Sequence, residues 1–506
     1  MSTADTQEQE YEVAIIGGGI MGTALFSELV RAGINCVLLE ASDDVSNGST
    51  KGNSGIIHSG YDPMPNSLMA KFNVAGNKMY KAMCKRLSVG YKSCGTLVVA
   101  REEEKEKLNL LMERGKTNGV PSLKIITDPL LHQMEPNLID EIKYGLYAPT
   151  AGIVSPYLVC VALAEEGVIN GGIVLKEFLV DKAEKNSEYY TIYGNSGKEN
   201  EKKVNAKYIV NCAGAGADKV NTIFGLPSTP CIYVKGVYIL LDKSQNNFVH
   251  RPIFPLPTAL GKGVLAIPTI HGNVMFGPTA HECEPFDTSV DVESLNEIKA
   301  KIATAVKQPN FRKTIKLFAG VRNKCGNDFV IKKAEQIEHY FYTLGIQSPG
   351  LTSAPAIAQY LCQELIKDGI KTKKIKLKVR KPYPDLTEMD AKSLKKVIKE
   401  NPDYGKIICR CEGVSLGEIK DVLNSPLKPR TVDAVKRRIR TTMGRCQGSF
   451  CLPKIIKIIS TVCDIPKEEV SLCGEGSEFI VGDIKQNGYF EKIKETKKMV
   501  KQVRKN

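Results

Sequence analysis

The sequence predicts an α/β protein with three parts: a parallel sheet flanked by helices, a second sheet of mixed or antiparallel strands, and a small helical module towards the C-terminus. Three observations predict it. A short apolar strand at 11–16 runs directly into Gly17-Gly18-Gly19-Ile20-Met21-Gly22 and then into a helical pattern. Alternating apolar runs at 231–241 and 264–277 carry the period of half-buried strands, the second broken by the turn His271-Gly272-Asn273. Cys409, Cys411, Cys446 and Cys451 stand as two close pairs.

The first element is a βαβ unit. Gly17 permits the tight turn after the strand, Gly19 lets backbone approach a pyrophosphate, and Gly22 lets the helix pack closely on the sheet. The helix, predicted over 23–32 and ended by Gly33, points its N-terminal N–H groups at the diphosphate. A second strand at 35–39 ends on Glu40, which is placed to accept from ribose hydroxyls. Strand, glycines, helix, strand and acid in that order form a dinucleotide-binding fingerprint. The acid suits FAD or NAD and disfavours a 2′-phosphate.

Two later stretches separate FAD from NAD. A strand at 204–211 leads into Cys212-Ala213-Gly214-Ala215-Gly216-Ala217-Asp218, and a small-residue segment from Gly345 through Gly350, Leu351 and Thr352 to Ala356 precedes a helical run at 357–365. Small residues let backbone lie against a planar or phosphorylated group. One long ligand touched by segments this far apart in sequence describes FAD better than NAD.

Composition narrows the function classes. The chain has 506 residues, 42% hydrophobic and 25% charged, which excludes a largely disordered chain, a collagen-like repeat and a polytopic membrane protein. The net charge of +14 suits anionic partners, and basic residues concentrate at 367–399 and after Glu491. Tryptophan is absent, which argues against an aromatic nucleic-acid surface. Met1–Glu10 is polar and acidic, without a secretory layout, and no apolar run is long enough to span a membrane. Cytoplasmic placement follows as the expectation, with peripheral membrane contact left open. Fifteen cysteines without such a signal imply a reducing compartment and mostly core thiols.

The C-terminal cysteines read C-x-C, a gap of 34 residues, then C-x4-C. Four thiolates in two pairs hold zinc or an iron–sulfur cluster, and structural zinc more often has two residues between paired cysteines. Ser415 with Glu418 forms a capping box for one short helix and Thr431 starts another. Arg410, Arg438 and Arg445 either offset the charge of a thiolate-bound cluster or are solvated, whereas Arg437 reads as a solvated side chain.

From about Tyr11 to Leu365 the chain resembles the FAD-dependent amino-acid and hydroxy-acid oxidoreductases, a group that includes D-amino-acid oxidase, flavin-linked glycerol-3-phosphate dehydrogenase and L-2-hydroxyglutarate dehydrogenase. The resemblance rests on the glycine fingerprint, on Gly52-Asn53-Ser54-Gly55-Ile56-Ile57-His58-Ser59-Gly60, on Ser155-Pro156 and on Phe318-Ala319-Gly320-Val321-Arg322. It implies a Rossmann-like FAD part at about 10–90, 150–230 and 330–370, interleaved with a substrate part at about 90–150 and 230–330. It implies that Asn53 and Ser54 lie in the loop over the flavin and that Arg322 binds the substrate anion. Residues 405–455, with Thr442-Met443-Gly444-Arg445-Cys446-Gln447-Gly448, resemble the bacterioferritin-associated-ferredoxin type of [2Fe-2S] domain. The flavoprotein is then expected over 1–385, a linker helix over 386–404, the cluster module over 405–455 with the four cysteines as ligands, and a basic tail over 456–506.

An alcohol substrate needs a base near flavin N5, and of six histidines His58 and His271 are the candidates. Lys235 and Lys51 are the further candidates for holding a small anionic hydroxy substrate. The resemblance implies oxidation of sn-glycerol 3-phosphate to dihydroxyacetone phosphate, with electrons leaving through the cluster to a quinone, an iron–sulfur subunit or a soluble carrier. The alternatives are a 2-hydroxy-acid dehydrogenase acting on L-2-hydroxyglutarate, and an electron-transfer subunit without a small substrate. Asn323 stands where the glycerol-3-phosphate enzymes often have Pro after the Arg.

Overall fold

The strand Glu10–Ile16 is apolar on both faces, as a parallel strand covered by helices must be. It lies between Cys36–Leu39 and Lys202–Asn211, parallel to both. Tyr340–Leu344 continues the parallel set beside the end of Lys202–Asn211, and Ile173–Leu175 extends it beyond Cys36–Leu39. With Val180–Lys185, Tyr190–Gly194 and Val330–Lys333 on antiparallel margins, this makes an eight-stranded sheet. In the computed structural model, which describes residues 10–197, 199, 201–257, 263–480 and 482, strands from three distant stretches of the chain therefore share one sheet.

Helix Ile20–Arg31 starts three residues earlier than expected, because Gly19 is already the cap and the second half of the glycine motif is helical. Gly33, at φ +74°, ends it. Pro156–Ile169 and Gly350–Lys367 pack against this helix, and Leu68–Leu87 packs on Gly350–Lys367. The last of these starts at Gly350, not near 357. The small-residue stretch 350–356 is its first two turns, and the helix takes Pro355 inside it. Small residues here do helical packing work: a Cβ on Gly76 would come within 2.0 Å of the Thr352 carbonyl oxygen.

A nine-stranded sheet forms the second layer. The long pair Ile232–Leu241 and Thr314–Lys324 runs antiparallel in the register Val234↔Arg322, Gly236↔Gly320 and Tyr238↔Phe318. The hairpin Leu265–Pro268/Val274–Gly277 is antiparallel, whereas Ile253–Phe254 pairs parallel with Thr96–Ala100. The sheet is thus mixed. Val237, Ile239 and Ala319 face one core, and Tyr238 and Phe318 belong to another on the opposite face. The expected α/β class with an interleaved mixed sheet is what the chain adopts. Thirteen described cysteines are thiols, and Cys231 pairs with Cys325 in a disulfide.

The chain divides into two compact units, Met1–Pro382 and Tyr383–Asn506. In the second unit, Ile407–Cys409 pairs with Val414–Ser415, and the helices Leu416–Leu423, Val432–Ile439 and Leu452–Cys463 enclose a core of Ile419, Val422, Val435, Ile455 and Ile459. Ser415 makes the capping box with Glu418, and Thr431 accepts from the Ala434 N–H. Two boundaries are corrected. The linker helix expected over 386–404 is Ala391–Glu400, since Asp390 caps it by accepting from the Lys392 and Ser393 N–H groups, with single 3-10 turns at Leu386–Glu388 and Pro402–Gly405 on either side. The module does not end at 455: Leu452–Cys463 runs through that point, and its apolar face, with Val470, completes the core. The basic tail lies outside the described residues from 483 onward. Among the described residues no helix is long and apolar enough to cross a membrane.

Arg380 closes the first unit. Its Nε donates to Glu165 at 2.6 Å and its Nη1 to the Leu87 carbonyl at 3.0 Å, with both charged side chains buried. Removing one member of a buried pair strands the other charge, at a cost of about 3–5 kcal/mol. Arg380→Met should therefore lower the urea midpoint of the first unit's unfolding markedly, while Lys378→Met, an exposed neighbour, should leave it in place.

Candidate functional site

The ends of the parallel strands open onto a cavity of about 1400 Å³. This exceeds the roughly 300–1,000 Å³ of an ordinary small-molecule pocket. It leaves space for a dinucleotide and a small substrate together.

One end is built by the first βαβ unit. Gly17, Gly18 and Gly19 line it. Gly17 is at φ +107°, and a Cβ there would lie 2.6 Å from the Cys212 carbonyl oxygen. Glu40 is buried, with its carboxylate accepting from the Gly18 N–H at 2.7 Å and the Ser42 N–H at 2.8 Å. Burial pushes its pKa up, and those two N–H groups oppose the rise. The Ile20 N–H, at the start of the helix, meets the Thr50 hydroxyl at 3.0 Å. Gly214, Gly350 and Leu351 line the same cavity from the other two segments. A side-chain-free cradle at a helix N-terminus, with an acid after the next strand, fits the diphosphate and ribose of FAD.

The loop carrying Lys51, Asn53 and Ser54 is pressed onto the second sheet. Gly52 and Gly320 meet back to back: a Cβ on Gly320 would lie 1.9 Å from the Gly52 oxygen. The Ser49 hydroxyl donates to the Val321 carbonyl. Asn53 shapes the loop, its Oδ1 accepting from the Gly55 N–H at 2.8 Å. Lys51 Nζ donates to Asn47 at 3.0 Å, and all three residues line the cavity.

His58 follows the strand Ile56–Ile57 and faces the cavity. Its backbone is held from two helices. The N–H donates to the Thr352 hydroxyl at 2.9 Å, and the carbonyl accepts from Asn73 at 2.8 Å and Asn77 at 3.1 Å. Its Nε2 lies 3.4 Å from the Ser348 hydroxyl, and its ring centroid is 5.9 Å from that of Phe254. Arg322 lines the same cavity and donates from Nη2 to the Thr279 carbonyl at 3.2 Å. It passes over Gly236, where a Cβ would come within 3.5 Å of that nitrogen.

Several expectations fail here. Lys235 does not face the cavity. Tyr233, Val234, Gly236 and Tyr238 of its strand line the cavity, whereas Lys235 is buried and bonded to Asp287 at 2.9 Å and Ser289 at 3.0 Å. His271 sits in the hairpin turn bounded by Thr269 and Asn273 and is not among the lining residues. Gly345 also stands off the cavity, at φ +64° beside Cys325, and the lining begins with Ile346. Thr352 supports His58 and does not line the cavity; Gly22 does not line it either, and packs on Gly17 as its expected role in helix–sheet packing requires. The sequence reading missed Thr50, Ser348 and Tyr238. The first two sit in hydroxyl-rich runs beside motifs it had marked, and the third sits on the strand marked for Lys235.

In the second unit the four cysteines converge as two pairs. The Cys411 thiol donates to the Cys446 sulfur at 3.5 Å, and Cys451 interacts with Cys409. Gly444 makes this approach feasible, since a Cβ there would lie 2.3 Å from that of Cys411. Burial works to raise the Cys446 thiol. The contact with Cys411 and the N–H groups of Gly448, Phe450 and Ser449 outweigh it and hold the pKa below the ordinary value. Burial, with Cys409 alongside, pushes Cys451 up to about 11. Four cysteine sulfurs arranged as two pairs, with backbone N–H groups beside the Cys446 sulfur, suit a [2Fe-2S] cluster. Arg437 is not solvated as expected. It is buried, like Arg438 on the same helix.

The sequence profile of the FAD dependent oxidoreductases matches residues 12–364, and that of the BFD-like [2Fe-2S] binding domain matches residues 407–461. The chain belongs to the FAD-dependent oxidoreductase family. Its cofactors are FAD and a [2Fe-2S] cluster. This oxidoreductase is 39% identical to a glycerol 3-phosphate dehydrogenase of Caloramator mitchellensis, over 94% of its own length and 99% of the relative's. It is 32% identical to the human mitochondrial L-2-hydroxyglutarate dehydrogenase over 53% of its own length and 61% of that enzyme's. Among solved structures, it is similar to the dithionite-reduced L-α-glycerophosphate oxidase of Mycoplasma pneumoniae with FAD bound, with a TM-score of 0.68 and 28% identity over 72% of this chain and 97% of that one.

Replacing a cysteine of one pair should release iron and leave flavin. Cys446→Ser is expected to lose the cluster's visible absorption and its iron while keeping stoichiometric FAD, by metal analysis and by the spectrum of the released flavin. Full iron retention would place the cluster on other ligands.

Proposed function

We propose that the protein oxidises sn-glycerol 3-phosphate to dihydroxyacetone phosphate. The observation that carries this reading is the convergence of His58 and Arg322 on one cavity that also holds the dinucleotide cradle. The extent of similarity to a glycerol 3-phosphate dehydrogenase, through both units, favours phosphate over carboxylate.

FAD, when bound, supplies the two-electron acceptor for the C2 hydride. The residues supply the rest. His58 Nε2 takes the C2 hydroxyl proton as the C–H bond breaks and the carbonyl forms. Its main chain is tied to Thr352, Asn73 and Asn77, so the ring does not have to be ordered during the reaction. Arg322 binds the phosphate. Its bond to Thr279 fixes the plane of the guanidinium, and a planar fork matches two phosphate oxygens. Lys51, at the loop, adds positive charge at the same cavity. Asn53, Ser54, Gly214, Gly350 and Leu351, which line the cavity, would contact the cofactor. Cys409, Cys411, Cys446 and Cys451 would hold the cluster, which would supply a one-electron outlet.

A 2-hydroxy acid such as L-2-hydroxyglutarate is the second reading, since a carboxylate also fits a guanidinium fork and the similarity to that dehydrogenase is clear over half the chain. Anaerobic stopped-flow separates the two. Glycerol 3-phosphate should bleach the flavin band, and L-2-hydroxyglutarate at equal concentration should not. His58→Gln should slow that bleaching by about 10²–10⁴-fold with substrate affinity little changed. Arg322→Met should chiefly weaken substrate binding. Bleaching by the hydroxy acid alone would transfer the assignment to the second reading.

A further inference from the structure

Phe450 is 71% exposed, and it sits between two cysteines of the cluster site. Lone exposed apolar side chains are ordinary on a protein surface. This one is held in place on both sides. Its own N–H is among those that face the Cys446 sulfur, and the next residue, Cys451, is buried. The ring is therefore presented to solvent from a fixed backbone at the cysteine loop.

Exposed basic residues flank it in sequence. Between positions 405 and 457 every exposed charged residue is Lys or Arg, while exposed acids of the unit stand before that stretch, at Asp385, Glu388, Asp390 and Glu400, and after it, at Asp464, Glu468 and Glu469. Arg410 lies between the first two cysteines, Arg445 precedes the third, and Lys454 follows the fourth in the helix Leu452–Cys463. The four acids of this stretch all have partners. Glu412 is bonded to Arg440 at 2.9 Å, Glu418 closes the capping box, Asp421 accepts from the Tyr404 hydroxyl at 2.5 Å, and Asp433 is paired with Lys436 at 3.1 Å. An exposed aromatic with arginines beside it matches the residue types enriched at protein interfaces, and basic side chains there favour a partner of opposite sign.

We propose that the surface around Phe450, Arg410 and Arg445 docks an acidic electron-carrier protein. The inference rests on the reading that electrons leave through the cluster, and it names what receives them. With a cluster bound, the four cysteines would hold a one-electron donor: each encounter would reduce the carrier's one-electron centre and oxidise the cluster by one electron, with no bond made or broken. The acidic carrier brings carboxylates to the arginines and lysines and an apolar spot to Phe450.

Binding to the full-length holoprotein tests this, with flavodoxin as the acidic probe and cytochrome c as the basic one. Flavodoxin should bind, more weakly as salt rises. Phe450→Ala and Lys454→Glu, the latter on the helix and outside the cysteine loops, should each weaken it about tenfold, with iron content and substrate-driven flavin bleaching unchanged. Arg445→Glu, beside the third cysteine, should weaken it in the same sense, with its iron content measured alongside. Variants that bind flavodoxin like the parent, a preference for cytochrome c, or an affinity indifferent to salt would each overturn the proposal. So would absent flavodoxin binding alongside transfer to a soluble quinone that Phe450→Ala leaves untouched. Binding is measured on the oxidised protein without substrate. Failure of glycerol 3-phosphate to bleach the flavin would thus sink the substrate reading and leave the docking result standing.

Discussion

The flavin half depends on three backbones meeting without side chains between them. Gly17, at the end of the central strand, touches the Cys212 carbonyl of the neighbouring strand, and a Cβ on Gly22 would lie 1.9 Å from the Gly17 oxygen. That contact draws the first helix down onto the sheet and aims its N-terminus at the strand ends. Glu40 then ties the turn by accepting from Gly18. A cradle for a diphosphate results from packing alone, before any ligand contributes. The second close approach, Gly52 against Gly320, clamps the flavin-side loop to the substrate sheet and sets the width of the cavity between them.

The chemistry follows from what those two contacts position. His58 emerges two residues after the loop and is fixed by the helix that Gly350 begins. Arg322 emerges two residues after Gly320, on the same face of its strand. The glycines that close the scaffold thus also bring the backbones carrying His58 and Arg322 to one cavity. Gly444 acts in the same way in the second unit, since the second cysteine loop reaches the first only across a residue without a side chain.

Much of this was legible in the sequence, for identifiable reasons. The βαβ fingerprint, the alternating strands and the capping box at Ser415 are local signals, and each names a backbone geometry that tertiary packing did not override. The spacing of four cysteines announced a ligand set. The misses are non-local. Lys235 beside Gly236 reads as a phosphate ligand until the folded strand shows which of its residues line the cavity. His271 and His58 are equivalent until the fold shows that one turn lies off the cavity and the other residue on it. Arg437 looks solvated in a basic run, but helix periodicity puts it on the buried side beside Arg438. The helix at 350 was placed late because Gly, Ser and Pro argue for a loop locally, while close packing against Leu68–Leu87 demands small residues there.

A crystal structure of the full-length protein with FAD and glycerol 3-phosphate, trapped anaerobically in the reduced state, tests the central claim most directly. The account predicts the phosphate in a two-pronged contact with the Arg322 guanidinium and the C2 oxygen within hydrogen-bond reach of His58 Nε2. A phosphate bound elsewhere in the cavity, with C2 facing away from His58, would contradict it.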